Sequence, residues 1–338
     1  MTDDTQVEKT GTAKPFHAKA IVFAEMPDTA RPVSGWWGWL QGLLLWVFAA
    51  IIGIIMAGIL AGVSAVIFLG ENVDQEALAA NPPAEIMVPA IVGFMIGFFG
   101  GTTLLSILKV KMEKRSLASA GLGDFLYGAK FWPGFVGGIL LAVLLTIPTV
   151  FIGDVWGAVP QGEPDWSLVQ TSQFAIALVI LFVVVMVQAP AEEVMFRGWM
   201  FSGFGARHGL SAGLLLSSLF FGLAHGDRFF VNPAVGIYYI ILTAALGYMF
   251  AAMSRATGSV AAAAGVHTGY NLTLLSVGAA YIVALGDGGS ILESFMSILD
   301  VSDIEFPPIG PALLTDMAVR LLIPIGIGIW FLNRSKKA

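Results

Sequence analysis

Eight long runs of mostly apolar residues constrain this chain more than any other feature. They cover residues 36–69, 86–108, 131–153, 172–203, 210–225, 234–254, 258–285 and 313–333. A helix needs about 20 such residues to cross a bilayer. Only 12% of the residues are charged, about half the fraction that a soluble domain carries. The sequence therefore predicts an all-α, polytopic membrane bundle of about eight transmembrane helices.

Lysine and arginine are distributed unevenly among the loops between these runs. With both termini in the cytoplasm, fifteen of the seventeen Lys and Arg residues fall on the cytoplasmic side. The three long loops on the other side, at 70–85, 154–170 and 286–312, contain none. Because positive charge is retained on the cytoplasmic side, we expect an integral, multi-pass protein of a cytoplasmic or inner membrane, with both termini inside.

The two ends of the chain are polar, and the chain has no cysteine. Residues 1–34 lack the features of a signal peptide, and we expect them to form a cytoplasmic tail without a fold. The bundle then covers 35–333, followed by a short basic tail at 334–338. The lack of cysteine excludes disulfides, thiolate nucleophiles and Cys-type zinc sites.

A charged stretch, AEEVMFRG at 191–198, lies near the end of the fourth run. Ionisable groups at membrane depth are costly, so they indicate a functional site with a specific partner. Arg197 follows Glu193 by four residues, the order that favours an ion pair on a helix. Glu192 points about 100° away from Glu193 and has no evident local partner. We therefore predict a chemical role for Glu192 and a structural one for the pair.

Polar residues on two later runs are the expected partners of Glu192. His225 ends the fifth run, with Phe221 one turn before it, and His267 and Asn271 share one face of the seventh run. Two imidazoles and a carboxylate can hold a zinc-bound water, with Glu192, His225 and His267 as ligands, or orient a water without metal. Asn271 could donate a hydrogen bond to an oxyanion. The residues leave the need for zinc open.

Each of these residues also has a purely structural interpretation. His225 could be an interfacial residue at a helix end, His267 a helix–helix hydrogen-bonding residue, and the Glu–Glu–Arg group a proton relay or a packing ion pair. Phe221 is more often a packing residue. Chemistry is favoured because three separate helices bring polar groups to similar depths. Glu192, His225 and His267 lie about 15, 20 and 13 Å from the cytoplasmic helix ends at 1.5 Å per residue.

Three short motifs recur in a fixed order on these helices. EEVMFR at 192–197 fits EExxxR, FGLAH at 221–225 fits FxxxH, and HTGYN at 267–271 fits HxxxN. Together they resemble the CPBP family of intramembrane proteases, which includes the type II CAAX prenyl proteases and bacterial enzymes linked to bacteriocin maturation and self-immunity. The motif core covers residues 192–271.

The resemblance implies a membrane endopeptidase whose active site opens toward the cytoplasm. It implies Glu192 as the residue that activates water and Asn271 as the stabiliser of the oxyanion. His225 and His267 would be zinc ligands or would orient the water, and Glu193, Arg197 and Phe221 would support the site.

Three functions follow as hypotheses. The first is hydrolysis of peptide bonds in membrane-associated or lipid-linked substrates by a Glu-activated water. The second is a catalytically idle membrane scaffold or immunity factor. The third is a proton-coupled transporter, which the lack of an evident inverted repeat disfavours. The expected partners are the lipid bilayer and a peptide or membrane-protein substrate, with no organic cofactor and no nucleic acid.

Overall fold

Eight helices make up most of the part of the chain that the structure describes. The computed structural model describes residues 16–33, 35–69, 82–155, 163–230, 232–286 and 310–335, and these residues contain no β-strand. The helices are α1 (Gly35–Leu69), α2 (Ala84–Met112), α3 (Phe131–Val155), α4 (Ser172–His208), α5 (Leu210–Leu223), α6 (Pro233–Thr257), α7 (Val260–Ala284) and α8 (Pro311–Ser335). Five of them, α1, α2, α4, α6 and α8, are long and apolar enough to cross a membrane. The predicted all-α polytopic bundle is confirmed.

Helix α4 changes its geometry where the charged stretch lies. It is α-helical over Ser172–Glu193, a π-helix over Val194–Phe201 and α-helical again over Ser202–His208. Pro190 precedes the π-helix and has no N–H to donate to the carbonyl of Met186. The Tyr127 hydroxyl donates to that carbonyl instead, at 2.8 Å. π-Helical turns are rare and are frequent at functional sites.

Glycines let helices α3 and α7 pack with their backbones in close contact. A Cβ on Gly265 would lie 2.0 Å from the carbonyl oxygen of Phe131, and one on Gly138 would lie 2.1 Å from that of Val266. No side chain fits at such distances, so these two contacts require glycine. His267 lies two residues beyond Gly265, and the close packing of the backbones fixes its position.

The N-terminal segment, residues 16–33, differs from the expected tail without a fold. Val22 and Val33 are buried, and the backbone N–H of Lys19 donates to the carbonyl of Ala206 at 2.7 Å. The segment thus packs against the C-terminal end of α4. Its few apolar residues are too scattered to form a run, but they suffice to cover helix ends that are already in place. The expected tail residues 1–15 and 336–338 lie outside the described residues.

A buried polar network fixes this same end of α4. The indole Nε1 of Trp199 donates to Glu113 Oε1 at 2.7 Å, and Arg115 Nη1 donates to Glu113 Oε2 at 2.9 Å. Arg115 Nη1 also donates to the carbonyl of Trp199. Burial lowers the pKa of Arg115, and the neighbouring Glu113 carboxylate opposes that shift. The network joins the loop after α2 to the π-helix.

Candidate active site

Three predicted side chains meet in a gap between α4, the end of α5 and α7. Glu192 Oε2 lies 3.8 Å from His225 Nε2 and 3.9 Å from His267 Nε2. Glu192 and His267 are buried, whereas about a quarter of the His225 side chain (24%) remains exposed. Residues that are far apart in sequence therefore surround one small space, as the depth comparison predicted.

Glu193 is the fully buried anchor of the site. Its Oε1 accepts hydrogen bonds from Arg197 Nη1 and from His267 Nδ1, each at 2.9 Å. The predicted Glu193–Arg197 pair is confirmed. The contact to His267 was not predicted, because it depends on how α4 and α7 face each other. Arg197 Nη2 donates further to the carbonyl of Gly247 at 3.2 Å.

The hydrogen-bond partners indicate which ring nitrogen carries the proton when each imidazole is neutral. A carboxylate and a carbonyl can only accept, so Nδ1 of His267 donates to Glu193 and Nδ1 of His225 donates to the Phe221 carbonyl, which is 2.8 Å away. In the neutral rings Nε2 is then the unprotonated nitrogen. Both Nε2 atoms and Glu192 Oε2 therefore face the gap as acceptors. Oε2 is buried, with no hydrogen-bond partner among the described residues.

These three side chains are of types that bind zinc, but their potential ligand atoms lie too far apart. Zinc accepts two histidines and one carboxylate, and ligand atoms of a tetrahedral site lie about 3.3 Å apart. Both Oε2–Nε2 distances are longer. Over the described parts of the chain, no group of three or more His, Cys, Asp or Glu residues is placed to hold a metal ion. The arrangement does not fit a zinc ion as it stands, and ligation by Glu192, His225 and His267 stays a prediction.

The other carboxylate oxygen of Glu192, Oε1, is hydrogen-bonded to a chain of two side-chain amides. Asn271 Nδ2 donates to Gln188 Oε1 at 3.2 Å, and Gln188 Nε2 donates to Glu192 Oε1 at 2.6 Å. The structure thus places Asn271 beside the site through Gln188, which the sequence analysis missed. Gln188 precedes Glu192 by four residues on α4, so a same-face comparison could have identified it.

Aromatic rings enclose the charged groups. The Phe221 ring lies 4.7 Å from the His225 ring and 4.2 Å from the Arg197 guanidinium carbon. Phe250 on α6 stacks on the His267 ring at 5.0 Å. Phe221 therefore contacts two site residues, while Phe250 gave no signal in the sequence because it lies in an apolar run. Arg197 and His267 are buried beneath these rings, and electrostatic interactions are stronger at such buried positions than in water.

Comparison with known proteins points to one family. Residues 174–273 match the family model described as type II CAAX prenyl endopeptidase Rce1-like. The uncharacterized protein YyaK of Bacillus subtilis (strain 168) is 27% identical over 172 residues, which cover 49% of this chain and 52% of YyaK. The chain thus matches about half the length of this curated relative. No solved structure matches the chain.

The matched segment contains the three motifs and every side chain that lines the gap, from Gln188 on α4 to Asn271 on α7. The site and the family match therefore concern the same four helices, α4 to α7. Residues 174–273 of this chain are therefore similar to the Rce1-like type II CAAX prenyl endopeptidase family.

Proposed function

We propose that this protein is an intramembrane endopeptidase that hydrolyses peptide bonds of membrane-associated or lipid-linked substrates by a water activated by Glu192. The observation that carries the proposal is the buried Oε2 of Glu192, which faces two imidazole acceptors without a partner of its own among the described residues. A water molecule supplies the protons that these acceptors lack. Such a water can donate to the carboxylate and to one Nε2 at the same time.

The chemical steps follow from the protonation of the site. As the water oxygen bonds to the substrate carbonyl carbon, its O–H bond breaks and the proton passes to Glu192. When the tetrahedral intermediate collapses, the C–N bond breaks and Glu192 returns the proton to the leaving nitrogen. The Glu193–Arg197 pair holds His267 in the orientation that this geometry needs.

The oxyanion of the intermediate needs a hydrogen-bond donor. Neutral imidazoles cannot supply one from Nε2, since both rings carry their proton on Nδ1. Asn271 Nδ2 has two protons and gives one to Gln188, which leaves the second for the oxyanion. Asn271 is therefore the residue that we assign to oxyanion stabilisation. Removal of such a donor typically slows an enzyme about 100- to 1000-fold.

A cleavage assay with purified protein in liposomes tests the proposal. The probes are a fluorescence-quenched peptide ending in a farnesylated Cys-aliphatic-aliphatic-X sequence and the same peptide without the farnesyl group. Glu192→Gln keeps the size of the side chain and should lower the rate roughly 100- to 10,000-fold, as loss of an acid–base residue does. Glu85→Gln, at an exposed carboxylate in the first turn of α2, is the control and should leave the rate unchanged.

The two probes also decide whether a lipid group is recognised, since only one carries it. Cleavage that persists in the Glu192→Gln protein would refute the mechanism. The proposal fails altogether if wild-type protein cleaves neither probe and creates no new N-terminus in isolated membranes, as read by mass spectrometry. A Glu192→Gln variant that still performs the biological function would then favour an idle scaffold.

A further inference from the structure

The amide chain from Asn271 through Gln188 to Glu192 involves a residue outside the three motifs. We infer that Gln188 is a positioning residue that sets the orientation of both the Glu192 carboxylate and the Asn271 amide, an inference that rests on the proposed function. Gln188 contacts these two site residues from one turn earlier on α4. It thereby links the expected base to the expected oxyanion donor.

Gln188 determines which carboxylate oxygen of Glu192 faces the histidines. The terminal torsion of a glutamate side chain is broad, so the carboxylate turns easily unless one oxygen is held. Gln188 Nε2 donates to Oε1 at 2.6 Å and thereby holds this oxygen in place. Oε2 is then left pointing toward the two Nε2 atoms.

The same amide also determines the direction of Asn271. Because the Glu192 carboxylate can only accept, Gln188 must turn its NH2 group toward it. The carbonyl oxygen of Gln188 then faces Asn271, which must donate a hydrogen bond to it from its own NH2 group. The orientation of Asn271 is thus fixed by the charge of Glu192, through one intervening side chain. An N–H of Asn271, rather than its oxygen, is left for the substrate.

A packing role alone does not explain a glutamine at this place. Polar side chains within apolar helices are costly and need partners, and the neighbours of Gln188 along α4 are apolar apart from Glu192 and Glu193. Methionine is also unbranched and of similar length but makes no comparable hydrogen bonds. It would fill the space and leave the carboxylate free to turn.

The test is Gln188→Met, assayed with whichever quenched peptide wild-type protein cleaves faster. We expect kcat to fall roughly 10- to 100-fold, as it does when a partner of a site residue is lost, with KM changed less than about twofold because substrate contacts remain. Gln173→Met, at an exposed glutamine in the first turn of α4, is the control and should have no effect on either constant.

A double-mutant cycle separates positioning from general damage. Since Gln188 acts on Asn271 and Glu192 in one chain, Gln188→Met combined with Asn271→Ala should lose clearly less than the product of the two single losses. Losses that multiply, an unchanged kcat, or a change confined to KM would overturn the inference. If Gln188→Met does not fold in detergent, Gln188→Asn, which is one methylene too short to reach both partners, decides by the same criteria.

The controls distinguish this inference from the proposed function. If wild-type protein cleaves a probe and Glu192→Gln protein does not, the proposed function stands and the Gln188 variants alone decide. If wild-type protein cleaves nothing, both fall together.

Discussion

The Glu193–Arg197 ion pair gives the sharpest test of how this fold tolerates charge at membrane depth. The side chains are 0% and 1% exposed, and the bridging atoms are 2.9 Å apart. Glu193→Gln is nearly isosteric and keeps an oxygen that can still accept from Arg197 and His267, so it removes the charge and little else. Arg197 would then stay buried as a cation without its hydrogen-bonded counter-ion, and Glu192 would be the remaining carboxylate that attracts it. Its other contacts would be neutral: the new amide oxygen, the Gly247 carbonyl and aromatic rings.

The expected cost follows from two opposing terms. At 2.9 Å and an effective dielectric constant of about 20, the Coulomb attraction is about 6 kcal/mol. Desolvation of two ions costs several kcal/mol each, so the pair as a whole contributes little net stability. Removing one partner, however, leaves the desolvation of the other without compensation. We therefore expect Glu193→Gln to lower the free energy of unfolding by about 3–5 kcal/mol.

Reversible unfolding by sodium dodecyl sulfate in dodecyl maltoside micelles measures this change, with tryptophan fluorescence as the signal. The matched control is Asp124→Asn, which breaks an ion pair of almost the same length, 2.8 Å, whose side chains are 46% and 50% exposed. A surface pair of this kind contributes at most about 1 kcal/mol. The difference between the two variants isolates the effect of burial.

The double variant Glu193→Gln/Arg197→Met completes the comparison. It removes both charges, so it should recover much of the loss seen in either single variant. The reasoning is refuted if Glu193→Gln costs no more than Asp124→Asn. It is equally refuted if the double variant is less stable by the full sum of both single changes.

Three further measurements follow from the structure. Trp199→Phe removes the N–H that Glu113 accepts and should cost about 1–3 kcal/mol, whereas Trp37→Phe at an exposed position should cost little; equal losses would contradict the network. Because the chain has no cysteine, single introduced cysteines report the topology. Ser167→Cys should react with an impermeant maleimide added outside, whereas Lys111→Cys should react only after permeabilisation. The reverse pattern would invert the predicted orientation. Zinc analysis of the purified protein decides whether the site binds this metal. Stoichiometric zinc that is lost from the alanine variants of both site histidines would identify them as ligands. An active protein without zinc would indicate instead that the histidines orient the water.

Most of the helical architecture could be predicted because hydropathy and length are local properties of the sequence. The eight runs and the eight helices agree to within a few residues at most ends. The Glu193–Arg197 pair was predictable for the same reason, since four residues along one helix bring the two side chains together. Both predictions needed no knowledge of how the helices pack.

The features that escaped prediction depend on packing between helices or on weak signals. The bond from His267 to Glu193 joins α7 to α4, and no spacing within either helix indicates it. Phe250 looked like any other apolar residue until α6 placed it on His267. The N-terminal segment was mistaken for a tail because its buried residues have neither the length nor the periodicity of a helix. Only Gln188 was missed although a local signal existed.

The two polar networks on α4 also constrain the number of residues that can lie between them. Glu193 is held on one side by α7, and Trp199 is held further along by the loop after α2. Loss or gain of one residue between them would shift the rest of the helix by about 1.5 Å and turn it by about 100° in α geometry. Either the hydrogen bond between Glu193 and His267 or the one between Trp199 and Glu113 would then be lost. A single deletion in this interval would therefore disconnect the site from its support, even if every side chain that contacts the site were kept.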